Sequence, residues 1–344
     1  MTTSSIILNG EKVDSAIAKS KLVSGIPDWK KAIFQFLLEW WNNESHITVS
    51  TSGSTGAPKT IQRAKGKMRI SAQMTGQYFG FKKGQKALLC LPANFIAGKM
   101  MLVRAIEWGL ELDCIEPKID LTIPKSNYSF SAMIPQQVET NLNQLEAISK
   151  LLIGGASVNS DLESRLHKKA THFFVSYGMT ETVSHIAIRN LQSDTPQIYS
   201  GLNFVSFSVT SNNELIVNAP HLLNTPIKTT DVVKLINEKQ FIWLGRTDFV
   251  INSGGLKLFP EALENQISHL ISQPFFIHKQ QDEKWGEIPI LIIQGNSIDT
   301  NNLENEMSHC LNKNEIPKKI VIVDQFSLTA NGKLDRNATF SSIK

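Results

Sequence analysis

Only three cysteines, Cys90, Cys114 and Cys310, occur in 344 residues. They are odd in number and far apart, which argues against a disulfide framework. Two lie in apolar, strand-like runs, as buried thiols of a reducing compartment do. No CxxC or HExxH is present, and His167 and His172 are spaced too widely for one helical face. No structural metal is expected. Long apolar runs are lacking too: none approaches the ~20 residues that cross a bilayer. The start, M-T-T-S-S-I-I-L-N-G-E-K, has neither the basic opening nor the apolar length of a signal peptide. The expectation is a cytosolic protein without a membrane span. Neither sign of charge dominates, since 35 basic and 31 acidic side chains leave +4. With no dense Lys/Arg tract and no aromatic-basic stripe, nucleic acid is not an expected partner. The mild positive balance suits anionic small molecules. Repeats and low-complexity tracts are also absent.

Apolar residues make up 41% of the chain and charged residues 19%, enough to build a large core and to exclude wholesale disorder. The length suits about two domains. The most informative stretch is T-V-S-T-S-G-S-T-G-A-P-K-T-I-Q, Thr48–Gln62. A β-branched run, Ile47–Val49, reads as a strand. It empties into Thr51, Ser52, Gly53, Ser54, Thr55 and Gly56, closed by Pro58 and Lys59. Glycines let a backbone approach a polyanion, hydroxyls and free N–H groups bond its oxygens, and Lys59 adds charge. This is a phosphate-loop pattern, but not the Walker form, whose second glycine directly precedes the lysine. A mobile Ser/Gly linker would share the composition.

Residues 28–41 place Trp29, Ile33, Phe36, Leu37, Trp40 and Trp41 at helical spacing after Pro27 and the capping candidate Asp28. Beyond the loop, strand-like segments at 86–91, 110–115, 130–134, 150–153 and 171–175 alternate with helical ones near 66–79, 97–108, 137–147 and 159–169. Such alternation predicts an α/β sheet with helices on its faces and ligands at the strand C-termini. After Thr182 the texture changes to short alternating strands at 184–190, 204–210, 213–218, 231–237 and 240–244, a β-rich subdomain. A smaller α+β unit is expected from Asp248: strands at 249–252, 275–279, 288–294 and 319–323, with helices opening at Pro260–Glu261 and over 301–312. The expected domains are thus 1–247 and 248–344.

Further constellations punctuate this pattern. L-L-I-G-G-A, Leu151–Ala156, ends a strand in Gly154, Gly155 and Ala156, where a flat ligand could lie against bare backbone; a tight turn explains the pair equally well. F-F-V-S-Y-G-M-T-E-T ends another strand in Tyr177, Gly178, Thr180 and Glu181. That supplies an aromatic face, a hydroxyl and a carboxylate suited to Mg²⁺. Asp231, in T-T-D-V-V, suits a ribose diol or a turn. Arg246, in W-L-G-R-T-D, suits a ribose, a phosphate or a surface ion pair. S-G-G-L-K, Ser253–Lys257, offers Gly254 and Gly255 to a narrow ligand arm. L-T-A-N-G-K-L-D-R, Leu328–Arg336, carries Lys333 in what alone reads as a frayed, solvated tail.

Taken in order, S-T-S-G-S-T-G-A-P-K, G-G-A, Y-G-M-T-E-T, T-D, G-R-T-D, S-G-G-L-K and N-G-K-L-D-R resemble the motif series of the adenylate-forming enzymes across residues 47 to 336. That superfamily includes acyl-CoA synthetases, peptide-synthetase adenylation domains and luciferases. The resemblance implies a large N-terminal α/β domain and a small mobile C-terminal α+β domain. A carboxylate would attack the α-phosphate of ATP, pyrophosphate would leave, and a thiol such as CoA would take the acyl-adenylate. The resemblance gives Thr51–Lys59 the β- and γ-phosphates, Gly154–Ala156 the adenine and acyl sites, and Tyr177 the base, with Gly178 beside it. Thr180 would contact phosphate, Glu181 would ligate Mg²⁺, and Asp231 and Arg246 would hold the ribose. Lys333 would neutralise charge developing on the reacting carboxylate. Asp248 matches the hinge about which the small domain swings, and Ser253, Gly254, Gly255 and Lys257 would line the thiol tunnel.

Within the superfamily, L-P-A-N-F-I-A-G-K-M-M-L-V-R-A resembles the acyl-pocket segment of o-succinylbenzoate–CoA ligases of menaquinone synthesis, with Arg104 placed for a second substrate carboxylate. A helix-surface arginine would look the same in sequence. Three departures stand out. Fewer than fifty residues precede the phosphate loop, which implies a truncated N-terminus and unsettles both the acyl pocket and the family's homodimer contacts. Phe95 replaces a common histidine in the acyl segment, and Thr230 replaces the glycine usual before the ribose aspartate. Two alternatives stay open: an aryl-acid adenylating enzyme that loads a carrier-protein thiol, and a catalytically silent nucleotide-binding homologue.

Overall fold

A computed structural model describes residues 4–23, 25–50, 60–195, 197–295, 299–328 and 334–343. Thr51–Lys59 and Lys333, on which the phosphate-loop and lysine expectations rest, lie outside the described residues. The chain opens with β1 (Ser5–Leu8) and β2 (Glu11–Asp14), an antiparallel hairpin. Asn9 and Gly10 both take positive φ, 48° and 80°, the two-residue turn whose twist matches paired strands. Helices α1 (Ser15–Ser20) and α2 (Asp28–Trp41) follow. The second buries Ile33, Phe36, Leu37 and Trp40 on the stripe their spacing predicts. Next, β3 (His46–Ser50) and β4 (Thr60–Ala64) pair antiparallel, so that Ser50 and Thr60, which flank Thr51–Lys59, stand opposite each other.

The α/β layer comprises α3 (Lys65–Phe79), β5 (Lys86–Leu89), α4 (Ile96–Trp108), β6 (Glu111–Cys114), β7 (Phe130–Met133), α5 (Pro135–Thr140), β8 (Lys150–Ile153), α6 (Ser160–Leu166) and β9 (His172–Gly178). Left-handed Gly80 and Gly109 close α3 and α4. Helix α5 is shorter than the predicted 137–147. The amide of Asn141 donates to Gln137 O and Ile119 O, 2.7 Å each, and its carbonyl accepts from Leu121 N, which ties the chain to a neighbouring loop where a helix would continue. Strands β6, β5, β7, β8 and β9 run parallel. Their alternate side chains enter separate cores: Leu152 and Phe174 on one face, Leu151, Ile153, Phe173 and Val175 on the other. Burial on both faces is why these strands read as unbroken apolar runs.

The sheet continues antiparallel through β10 (His185–Asn190), β11 (Ile198–Gly201), β12 (Ser206–Val209), β13 (Glu214–Asn218), β14 (Ile227–Asn237) and β15 (Gln240–Arg246), reaching thirteen strands, with the β1–β2 hairpin completing the far edge. A second sheet holds β16 (Ile251–Ser253), β17 (Leu256–Leu258), β18 (Phe275–Asp282), β19 (Gly286–Gln294) and β20 (Lys319–Val323), with α7 (Pro260–Ile267), α8 (Thr300–Cys310) and α9 (Arg336–Ser341). It has its own cores, around Ile277, Leu291 and Ile293 on one face and Phe276, Ile290 and Ile292 on the other. The tail departs from the solvated loop expected of it. Leu328 pairs with Leu334, Asp335 caps α9, and Arg336 grips Glu264 through two bonds of 2.6 and 2.8 Å. That bidentate pair, stacked against Phe249, anchors the terminus. Among the described residues, no helix is long and apolar enough to cross a membrane.

Candidate active site

The chain order β5–α4–β6, then β7 on the opposite side of β5, creates a switch point in the parallel layer. Loops leaving the strand C-termini there form a natural crevice. Gly154 and Gly155 follow β8 directly, and Gly154 N donates to Met133 O at 3.0 Å. A Cβ on Gly154 would lie 2.5 Å from Ser176 Oγ, so the missing side chain makes room for the neighbouring strand. At the end of β9, Gly178 is crossed by returning backbone: a Cβ there would stand 2.4 Å from Ser184 O. The intervening turn is tight. Thr182 Oγ1 bonds Met179 at both N and O, and Val183 takes φ of 70°, which is costly for a β-branched residue. Thr180 and Glu181 are carried on this strained turn. Arg63 Nε donates to Thr180 O at 3.0 Å, which joins β4 to the turn. Glu181 is exposed and forms no ion pair among the described residues.

Asp231 and Arg246 stand opposite each other in the β14–β15 ladder, and a register shift after Val232 leaves Leu244 as an extra residue. Such a bulge re-aims its neighbours. Trp243 Nε1 donates to Asp231 Oδ1 at 3.1 Å, and Tyr177 Oη donates to Asp231 Oδ2 at 2.6 Å. Tyr177 packs edge-on against Phe241 and Tyr199. Burial, with Asp231 beside it, pushes the Tyr177 phenol far up, so it acts as a donor throughout the neutral range. Arg246 and Asp248 are exposed and bond each other at 3.1 Å.

Beside this ladder opens a cleft of about 390 Å³ whose lining includes Asn159, Trp243, Glu261, Glu264 and Arg336. Residues of both sheets' units meet there. Ser160 Oγ donates to Asn265 O at 2.9 Å and also contacts Ser268 Oγ. Glu261 leans on Gly245, where a Cβ would fall 2.6 Å from its Oε2. That oxygen is buried and has no hydrogen-bond partner among the described residues. Burial therefore pushes the carboxyl up to about 7, opposed by the Arg336 guanidinium and by backbone N–H groups, and aided by Glu264.

Arg104 is a buried cation, 2% exposed, on the central helix α4. Its NH2 donates to Ser184 Oγ at 3.0 Å and lies 3.5 Å from His185 Nδ1; NH1 faces Met101 Sδ, and Nε has no partner among the described residues. No carboxylate pairs with it among the described residues. Burial lowers its pKa to about 9, which leaves it charged at neutral pH. The same burial and the Arg104 charge push His185 well down, so the imidazole is neutral. Phe95, at the N-terminus of α4, is 47% exposed. On the second sheet, Ser253 is buried, Gly254 and Gly255 turn at φ of 57° and 85°, and Lys257 is exposed. Gly254 N donates to Trp285 O at 2.8 Å, and the exposed Trp285 indole covers the glycine so closely that a Cβ would lie 2.7 Å from the ring.

Tyr177, Asp231 and Arg246 are thus neighbours, and Thr180 and Glu181 share the turn that leads to Ser184 and Arg104. Ser253–Lys257 form a separate hairpin. Sequence reasoning missed Arg63, Trp243, His185 and Trp285. The S-H that follows Y-G-M-T-E-T-V was the available signal for His185; a lone tryptophan in a strand gave none for Trp243.

Residues 41–214 match the family of AMP-binding enzymes, and the chain belongs to it. This agrees with the adenylate-forming resemblance of the motif series and with the mixed α/β fold. A solved acyl-CoA synthetase (AMP-forming)/AMP-acid ligase II-like protein from Dyadobacter fermentans DSM 18053 is 31% identical, with a TM-score of 0.64, over 96% of this chain and 99% of that one. The o-succinylbenzoate CoA synthetase of Bacillus subtilis, solved with its acyl-adenylate intermediate, has a TM-score of 0.74 at 23% identity, over 84% of this chain and 68% of that one. The 2-succinylbenzoate–CoA ligase of Listeria monocytogenes serovar 1/2a is 24% identical over 95% of this chain and 75% of its own length.

Proposed function

We propose that the protein is an ATP-dependent, AMP-forming acid–CoA ligase whose acid is 2-succinylbenzoate. The observation that carries the choice of acid is Arg104, a buried guanidinium with no carboxylate partner among the described residues. Burying a lone cation is costly, and a substrate's second carboxylate removes that cost on binding. The names of the curated relatives support the same acid.

In this reading Tyr177, Asp231 and Arg246 hold adenosine, with Asp231 accepting the ribose hydroxyls and Arg246 beside it. Thr180, with Ser and Thr hydroxyls of Thr51–Lys59, takes the phosphates. Glu181 fits a hard cation, since its carboxylate is exposed and not spent on an ion pair among the described residues; Mg²⁺ there would neutralise phosphate charge. The first half-reaction joins the acid carboxylate oxygen to the α-phosphorus and breaks its bond to pyrophosphate, with Lys333 stabilising the developing charge. Residues 248–344 then turn about Asp248, which withdraws Lys333 and brings Ser253–Gly255 and the Trp285 face to the thiol. The CoA sulfur attacks the acyl carbon, and AMP leaves.

The test is pyrophosphate release from ATP and Mg²⁺ with a panel of acids, with and without CoA. A response specific to 2-succinylbenzoate, yielding its CoA thioester, is expected. Turnover of other acids alone would discard this substrate, and thioester formed only on a carrier protein would discard CoA.

A further inference from the structure

Behind Arg104 lies a chain of polar groups whose proton directions can be read from their valences. Thr75 sits on α3 and has one hydroxyl proton, which it donates to Ser71 O, four residues back, at 2.9 Å. Its oxygen faces His185 Nε2 at 3.2 Å, so that nitrogen must be the donor and carries the imidazole proton. Nδ1 is then a bare acceptor. It faces Ser184 Oγ at 3.3 Å and Arg104 NH2 at 3.5 Å. Since Ser184 Oγ accepts from Arg104 at 3.0 Å, its own proton is free for Nδ1. The run is Arg104 to Ser184, Ser184 to His185, His185 to Thr75, and Thr75 to the backbone of α3, each group donating to the next.

Thr75, His185 and Arg104 are all buried, at 0%, 5% and 2% exposure. The NH2 of Arg104 meets only this run, through Ser184 Oγ and the nearby His185 Nδ1, so rotation of the guanidinium would orphan buried polar atoms. One edge of Arg104 is thereby committed to the protein, while the unpartnered Nε remains. We propose that Thr75 and His185 are positioning residues for acid selectivity: acting through Ser184, they fix the attitude in which Arg104 receives the second carboxylate of a dicarboxylic acid. This rests on the function proposed above for Arg104.

Two measurements test it. In the first, Thr75→Val, which keeps shape and removes the hydroxyl, is compared with Thr75→Ser and Arg104→Leu. The substrates are 2-succinylbenzoate and the monocarboxylate analogue that keeps the reacting carboxyl group and lacks the other. Thr75→Val is expected to raise KM for the dicarboxylic acid about tenfold with kcat within about twofold, to leave the analogue and ATP unchanged, and to be rescued by Thr75→Ser. Equal loss on both acids, or no rescue, overturns the proposal. If Arg104→Leu has no effect on the dicarboxylic acid, the reading of Arg104 itself has failed. The second measurement needs no substrate: ¹⁵N signals of His185 in the wild-type protein. A neutral imidazole protonated at Nε2, changed in Thr75→Val, is expected; protonation at Nδ1 overturns the relay.

Discussion

Replacing Glu261 by glutamine should remove most of one pH dependence from the protein's stability. The carboxyl is pushed from its ordinary 4.5 up to about 7, first by burial and then by Glu264, against the pull of Arg336 and two backbone N–H groups. Between those values the folded chain holds a proton that the unfolded chain has released. The stabilisation is therefore complete below the unfolded value and is lost as pH rises towards about 7. At about 1.4 kcal/mol per pH unit, the full span is about 3 kcal/mol. Glu261 keeps partial contact with water, which reduces the readable part to about 1–2 kcal/mol. Denaturant midpoints of the wild type and Glu261→Gln, taken at intervals from about pH 5 to pH 8, would show it. The amide fills the same space beside Gly245 and cannot ionise, so the wild type should lose ground to the variant across that range. Curves that stay parallel would refute the reasoning and place the carboxylate in water.

Other substitutions reach different parts of the molecule. Arg104→Leu should raise KM for 2-succinylbenzoate with little change for ATP, by about 2–3 kcal/mol of lost charge-assisted contact, read from steady-state kinetics. Lys333→Ala should abolish pyrophosphate release yet spare thioester formation from supplied acyl-adenylate; equal loss of both would sink the division of labour. Gly178→Ala should cost about 1–3 kcal/mol by overpacking, because its Cβ meets backbone at 2.4 Å, which cannot step aside as a side chain can. A thermal melt no lower than wild type would contradict that.

The parallel layer was legible because its strands are apolar on both sides and its helices carry clean stripes, as α2 shows over Asp28–Trp41. The opening hairpin carries a strong turn signal in Asn9-Gly10, but its four-residue strands are too short to show an alternating pattern. Helix α9 was hidden because Arg336 reads as a solvated charge until Glu264 is found 72 residues away. The same limit applies at the site. Asp231 could be named from T-T-D, but its donors come from Tyr177 and Trp243, 54 and 12 positions distant. Arg104 could be placed on a helix but not inside the protein, since burial on α4 depends on what surrounds that helix on every side.

The two donors on Asp231 carry a consequence for how a nucleotide would be met. A free carboxylate samples several rotamers, and a ligand that selects one must bear that loss of freedom on arrival. Tyr177 and Trp243 each occupy one oxygen, so rotation of the group is arrested when the sheet forms. Each oxygen keeps a second lone pair, pointing in a direction already chosen. A ribose diol would find two acceptors waiting in register, and the disorder that binding would otherwise have to remove was removed by folding.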